Sequence, residues 1–205
     1  MRTFVYFSGT AKTSGNFDMN NLMKAGRMDI VMHVIINAFF LSRKLREDVK
    51  LHLVFYGSPD PPKHIELHFK TTQGIPETGK NVGSLDISKK DLGNLIKKIL
   101  YKYKEGKKTE VFSGCFIEKK SFLGVVDELV KQGRKIFILD KRGKNIREVK
   151  IPEESVFIVG DHKGLPKKEL KRLKKTVDLI SVGSETYFAS QIFTILNNEL
   201  DLRGI

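Results

Sequence analysis

The chain has 205 residues, 40% hydrophobic and 30% charged, a balance that fills a buried core and excludes disordered and collagen-like classes. Its 37 Lys and Arg against 24 Asp and Glu leave a formal charge of +13, whose field favours a polyanion such as RNA, DNA or an anionic membrane surface. Cys115 is the only cysteine, so an intrachain disulfide is excluded and a reducing, cytoplasmic setting is expected.

Residues 2–7 read as a strand of β-branched and aromatic residues, entered without the apolar stretch and cleavage site of a signal peptide. Residues 9–21 are polar and form a loop. Helical spacing starts at Asp29, a first-turn acid, and runs through Val34, Ile35, Ala38, Phe39 and Leu41. This apolar stretch is interrupted by His33 and Asn37 and is too short to cross a bilayer. Residues 51–56 are a second buried strand, residues 57–62 a Pro-rich turn, and residues 65–69 alternate like a half-exposed strand. Residues 88–104 are an amphipathic helix with Ser88 as N-cap and Asp91 as its capping-box partner. Val111 and Phe112 are strand-like, and residues 121–132 form a helix that Gly133 closes. The runs 136–139, 156–159 and 177–182 are short and apolar, as parallel strands covered on both faces are. A final helix covers about 186–202. The order predicts one α/β domain over 1–205, with a largely parallel sheet, helices on both faces and room for a peripheral insertion around 57–87.

Several motifs are missing or incomplete. The turn after the first strand, Phe7-Ser8-Gly9-Thr10-Ala11-Lys12, lacks the further glycines of a dinucleotide site. Gly74-Ile75-Pro76-Glu77-Thr78-Gly79-Lys80-Asn81 follows a phosphate loop for seven positions, then has Asn81 where a magnesium-binding hydroxyl belongs. His64 and His68 share a strand face without a cysteine or carboxylate cluster, so they read as surface histidines and no metal is expected. Cys115 has no evident base partner and reads as a buried structural thiol.

Three glycine-containing loops follow the three apolar strands of the C-terminal half. They are Leu139-Asp140-Lys141-Arg142-Gly143, Val159-Gly160-Asp161-His162-Lys163-Gly164-Leu165-Pro166 and Ser181-Val182-Gly183-Ser184-Glu185-Thr186-Tyr187. Ligands of open α/β sheets bind beyond the carboxyl ends of the strands, so the loops are expected to converge on one pocket. Leu139, Val182 and Phe188 offer apolar walls for a purine.

The second and third loops, the latter feeding into the terminal helix, resemble those of the SPOUT RNA methyltransferases. Gly26-Arg27-Met28-Asp29-Ile30 and the ending Asn197-Asn198-Glu199-Leu200-Asp201-Leu202-Arg203 narrow the resemblance to their archaeal branch, which methylates N1 of pseudouridine-54 in the tRNA T-loop. The resemblance covers nearly the whole chain. It implies a C-terminal trefoil knot, a topology that periodicity does not suggest, S-adenosylmethionine as cofactor, and a homodimer. The apolar positions Tyr187, Phe188, Ile192, Phe193, Ile195, Leu196 and Leu200 are wider than one core-facing stripe, which fits a partner.

On this resemblance Asp29 accepts the N1 proton or orients the base, while Arg27 holds a phosphate or base edge. Leu139, Gly160, Val182, Gly183, Ser184, Tyr187, Phe188 and Ile192 hold the cofactor. Relatives often carry a cysteine where this chain has Ile192, so a thiol is not required there. Arg142, Lys144 and Lys163 are the expected RNA contacts, and the cluster Lys167, Lys168, Lys171, Arg172, Lys174 and Lys175 either tracks RNA or is a solvated helix face. The rival substrate is a pseudouridine of small-subunit rRNA, and the rival class is a non-catalytic RNA-binding assembly factor.

Overall fold

The computed structural model describes residues 1–42, 44–70, 88–173 and 177–205. In chain order the elements are β1 (Arg2–Ser8), α1 (Met28–Phe39), β2 (Val49–Phe55), β3 (Lys63–Leu67), α2 (Lys89–Tyr101), β4 (Thr109–Phe112), β5 (Cys115–Glu118), α3 (Phe122–Lys131), β6 (Ile136–Asn145), a 3₁₀ turn at Ile146–Glu148, β7 (Val156–Gly160), α4 (Lys167–Leu173), β8 (Asp178–Ser181) and α5 (Ala189–Leu202). The local signals explain several boundaries. Ser88 Oγ accepts from the Asp91 amide at 3.2 Å while Asp91 Oδ2 accepts from the Ser88 amide at 3.0 Å, which closes the capping box that opens α2. Ser121 caps α3, and Gly133, in the left-handed region with φ 77°, ends it.

The strands form one sheet in the order β4-β5-β3-β2-β1-β7-β6-β8. The five strands from β2 to β8 are mutually parallel, and β3, β5 and β4 extend the sheet antiparallel. β1 lies in the middle and has core on both faces. Phe4 and Tyr6 meet the residues of α1, α2 and α5, whereas Val5 and Phe7 meet those of α3 and Leu173 of α4. A strand with core on both faces needs apolar side chains on both, which is why Phe4, Val5, Tyr6 and Phe7 run without polar alternation.

Three expectations need correction. The alternation at 65–69 predicts a half-exposed strand, but β3 is buried along its length. Ile65 and Leu67 join the main core, while on the other face His64 lies against His52 and Glu118, and Lys50 and Lys108 cover Glu66. β5, which supplies Glu118, is only four residues long, too short for its alternation to mark a strand. The sheet is therefore parallel in its centre and C-terminal half and antiparallel on its other flank. His64 is not a surface histidine. It is 2% exposed, its Nε2 lies 2.9 Å from His52 Nδ1, and its Nδ1 donates to Glu118 Oε1 at 3.0 Å. His68 is half-buried and lies against the Glu47 carbonyl. Cys115 is fully buried, and desolvation pushes its thiol up to about 12, as expected of an inert packing group.

Of the expected insertion, residues 63–67 form β3. Residues 71–87, including the incomplete phosphate loop, lie outside the described residues, as do Lys174 and Lys175. Among the described residues, no helix is long and apolar enough to cross a membrane.

Two features shape the C-terminal half. α1 and α5 are stitched by side-chain amides: Asn37 Nδ2 donates to the Ser190 carbonyl and Asn197 Nδ2 to the Asn37 carbonyl, both at 2.9 Å. β6 meets β8 twice, first through Leu139 opposite Ile180 and again through Lys144 opposite the same Ile180. Between these contacts the register of β6 shifts, and Gly143 crosses close to Ile180. A Cβ there would lie 2.5 Å from the Ile180 backbone, so only glycine lets the two segments approach this closely.

Candidate active site: a cavity at the carboxyl ends of the central strands

The outer half of β6 and the loops after β7 and β8 surround a cavity of about 670 Å³, within the range that holds a cofactor-sized ligand. The segment 139–143, expected as a loop, is part of β6, whose register shifts against β8 there. Of the eight residues expected to hold a cofactor, Leu139, Gly160, Val182, Gly183, Tyr187, Phe188 and Ile192 line it. Ser184 is exposed and is not among the lining residues. Leu139, Val182 and Ile192 also pack against the main core, so these walls are fixed by the sheet and α5. Phe188 is different, with 70% of its surface exposed at the N-terminus of α5. This helix starts three residues later than the sequence spacing suggests, which leaves 186–188 free to line the cavity.

The turns are tightly built. At Gly160 a Cβ would come within 2.9 Å of the Gly164 backbone, and the Gly164 amide donates to the Asp161 carbonyl at 2.8 Å. Gly183 has φ 140°, which side chains rarely adopt. Its amide donates to Ser181 Oγ at 3.1 Å, and Ser181 Oγ donates to its carbonyl at 2.8 Å.

Arg27 and Asp29 do not line the cavity, but Ile30, the next residue of α1, does. The first turn of α1 therefore stands at the rim. Arg27 holds the left-handed N-cap position with φ 65°, and its Nε and Nη2 donate to the two oxygens of Asp29 at 3.0 and 2.9 Å. Burial raises the Asp29 pKa, but the Arg27 hydrogen bonds and charge, with the Asp29 and Ile30 amides, outweigh it and hold the carboxyl below its ordinary value. The pair is thus an ionised carboxylate with a fixed orientation.

Among the expected RNA contacts, Arg142 and Lys163 line the main cavity. The Arg142 guanidinium is mostly exposed but forked onto Asp140 at 3.0 and 2.7 Å. Lys144 lies instead on a second cavity of about 460 Å³, with Arg142 between the two and Lys150 beside it.

Sequence reasoning missed a polar cluster at the end of β1. Asp161, 9% exposed, lines the cavity and accepts hydrogen bonds from Gly9, Lys163 and Ser8. Beneath it, the Tyr6 phenol is raised far above its ordinary value, first by burial and then by the charge of Asp161, with Arg27 and Asp29 also within electrostatic reach. Asp161 stands in one of the quoted loops, but nothing local links it to residues near the N-terminus.

A sheet whose parallel strands open at their carboxyl ends on one cofactor-sized, partly apolar cavity, rimmed by basic residues, is the arrangement in which open α/β folds bind nucleotide-like ligands. The family described as "Putative SAM-dependent RNA methyltransferase" matches residues 1–205, and the chain belongs to it. It is 33% identical to the tRNA (pseudouridine(54)-N(1))-methyltransferase of Methanococcoides burtonii, over 98% of this chain and 96% of the relative. It is 32% identical to the protein of the same name from Thermococcus kodakarensis, over 98% and 99%. The structure of Archaeoglobus fulgidus Nep1 bound to S-adenosylhomocysteine superposes with a TM-score of 0.55 at 14% identity, covering 100% of this chain and 99% of that one. The fold is therefore shared with Nep1.

Proposed function

We propose that the protein transfers a methyl group from S-adenosylmethionine to N1 of pseudouridine-54 in the tRNA T-loop, the reaction for which the two archaeal relatives are named. The observation that carries this reading is the arrangement at the rim, where the Arg27–Asp29 pair adjoins Ile30 of the cavity wall. The cavity fits the cofactor in size and chemistry. Leu139, Val182, Ile192 and Phe188 provide apolar walls for adenine, and Gly160 and Gly183 allow close backbone approach. When bound, the cofactor supplies an electrophilic methyl group on a sulfonium.

The remaining chemistry belongs to the chain. Attack must be in line, so the acceptor nitrogen has to be held within contact distance of the methyl carbon. The ionised Asp29 carboxylate accepts a hydrogen bond from the N1–H and so orients the base. Its lowered pKa makes it a relay rather than a store: it takes the N1 proton as N1 is methylated and releases it to water. Arg27 keeps that carboxylate fixed. Arg142, Lys144 and Lys163 contact the RNA backbone, and Lys150 joins them at the second cavity.

The whole of 1–205 works as one SPOUT domain with an insertion in the 57–87 region. The C-terminal half is a trefoil knot, supported by the tight crossing of Gly143 over Ile180. The working unit is a cytoplasmic homodimer, supported by the exposed Tyr187, Phe188 and Leu202 around α5.

The test is transfer of labelled methyl from S-adenosylmethionine to two tRNA transcripts, one with pseudouridine in the T-loop and one with uridine. Label on the first alone is expected. Label on a pseudouridine-containing rRNA fragment instead would move the substrate to the ribosome, and cofactor binding without transfer to any RNA would favour an assembly factor.

A further inference from the structure

The Asp161 carboxylate joins two loops that are distant in sequence. Oδ1 accepts the Lys163 amide at 2.8 Å, within the loop that follows β7. Oδ2 accepts the Gly9 amide at 2.8 Å and the Ser8 hydroxyl at 3.3 Å, both at the end of β1. Ser8 Oγ in turn accepts the Ala11 amide at 3.0 Å, which fixes the start of the 9–27 loop. Thr10 Oγ1 then donates to the Gly26 carbonyl at 3.1 Å, and the Lys12 amide donates to the Ala25 carbonyl at 3.3 Å. At Gly26, where φ is 70°, a Cβ would fall 1.8 Å from the Thr10 carbonyl oxygen, so the two backbones are in direct contact. The next residue is Arg27, which clamps Asp29. An unbroken path of hydrogen bonds and close backbone contact thus runs from a wall of the cavity to the rim pair.

From this path we propose that Asp161 is a positioning residue that couples the methyl-donor cavity to the acceptor-side loop, so that cofactor and pseudouridine-bearing RNA strengthen each other's binding. The inference rests on the proposed function, because it takes the cavity as the cofactor site and the Arg27–Asp29 rim as the RNA-base site. The physical reason is the stiffness of the link. Each carboxylate oxygen is held by a backbone amide, so any shift of the 160–164 turn is passed to Gly9 rather than absorbed by a side-chain rotation. Isosteric Asp161→Asn keeps the shape but must turn an NH₂ toward one of the two amides, which breaks one arm. Ser8→Ala removes only the secondary arm.

The measurement is a binding cycle with S-adenosylhomocysteine and a T-arm hairpin carrying pseudouridine, each titrated with and without saturating amounts of the other. In the unmodified protein, S-adenosylhomocysteine is expected to tighten hairpin binding roughly tenfold, and the hairpin to tighten S-adenosylhomocysteine by the same factor. Asp161→Asn is expected to bring that factor close to one, and Ser8→Ala to an intermediate value. A loss of stability alone would weaken each affinity measured singly and could only raise the factor, because a saturating first ligand restores the folded population. An undiminished factor in Asp161→Asn overturns the proposal, as does the absence of coupling in the unmodified protein. If Asp161→Asn does not fold, an undiminished factor in Ser8→Ala overturns it and a reduced one supports it. Failure of S-adenosylhomocysteine or the hairpin to bind singly refutes the proposed function itself, and the coupling with it.

Discussion

Asp29 and His52 show how surroundings set the behaviour of an ionisable group. Arg27 holds Asp29 charged across the neutral range. Asp29→Asn is expected to lower kcat by about 10²–10⁴, the usual range for a positioned polar partner of a reacting proton, while S-adenosylhomocysteine affinity stays within a few-fold. The pH–rate profile should show no rising limb from Asp29 above about pH 5. A rising limb near neutrality that disappears in Asp29→Asn would refute the fixed-carboxylate reading. His52 behaves in the opposite sense. Burial and the neighbouring His64 push it down to about 3, and burial also lowers His64 despite Glu118. His52 Nε2 has no hydrogen-bond partner among the described residues. Because the unfolded chain protonates these histidines near pH 6.5 while the folded one resists, the unfolded state binds more protons as pH falls, and stability falls with it. Each such histidine contributes a slope of about 1 kcal/mol per pH unit below that value. Glu66 and Glu118, both held near 2, add to the loss below about pH 4.5. Thermal melts from pH 7 to pH 5 should therefore shift downward, and His52→Leu should flatten the shift. An equal shift in the variant would show that His52 is not responsible.

At the scale of elements, the site is made by the way β6 and β8 meet. Leu139 and Lys144 both lie opposite Ile180, so the intervening residues of β6 are out of register and Gly143 must pass against β8 without a side chain. Gly143→Ala would push a methyl to 2.5 Å from backbone atoms of Ile180 in β8, which cannot rotate away as a side chain would. The expected cost is about 1–3 kcal/mol for an overpacked position. In a chain of this size that corresponds to roughly 2–12 °C in the thermal midpoint. An unchanged midpoint would mean that the crossing is loose and does not constrain the cavity wall. The same element logic explains why α5 begins at Ala189. The backbone amide of Phe188 is held by Gln191 Oε1 at 3.0 Å, so the residues before it extend toward the cavity instead of adding a turn.

For the whole molecule, charge is the dominant long-range property. With a formal excess of +13, RNA affinity should fall linearly with the logarithm of salt concentration, as phosphates displace counterions. Lys144 and Lys150 share the second cavity, and replacing both with alanine should reduce the slope by about 1–2. An unchanged slope would place the RNA backbone elsewhere on the surface. The overall charge and the apolar strand runs are local quantities, readable by counting. So are the caps of α2 and α3 and the three glycine-containing segments at 139–143, 159–166 and 181–187, because each depends on residues within a few positions. That reading picked out three segments that all line the cavity, whereas Ile192 entered only through the family resemblance. What it could not reach depends on pairing between distant segments. Asp161 and Gly9 are 152 positions apart, and His64 and Glu118 are 54 apart. The burial of β3, the fate of its histidine and the link between cavity and rim were decided only when the sheet closed, because periodicity says which face of a strand is apolar but not which strand will cover it.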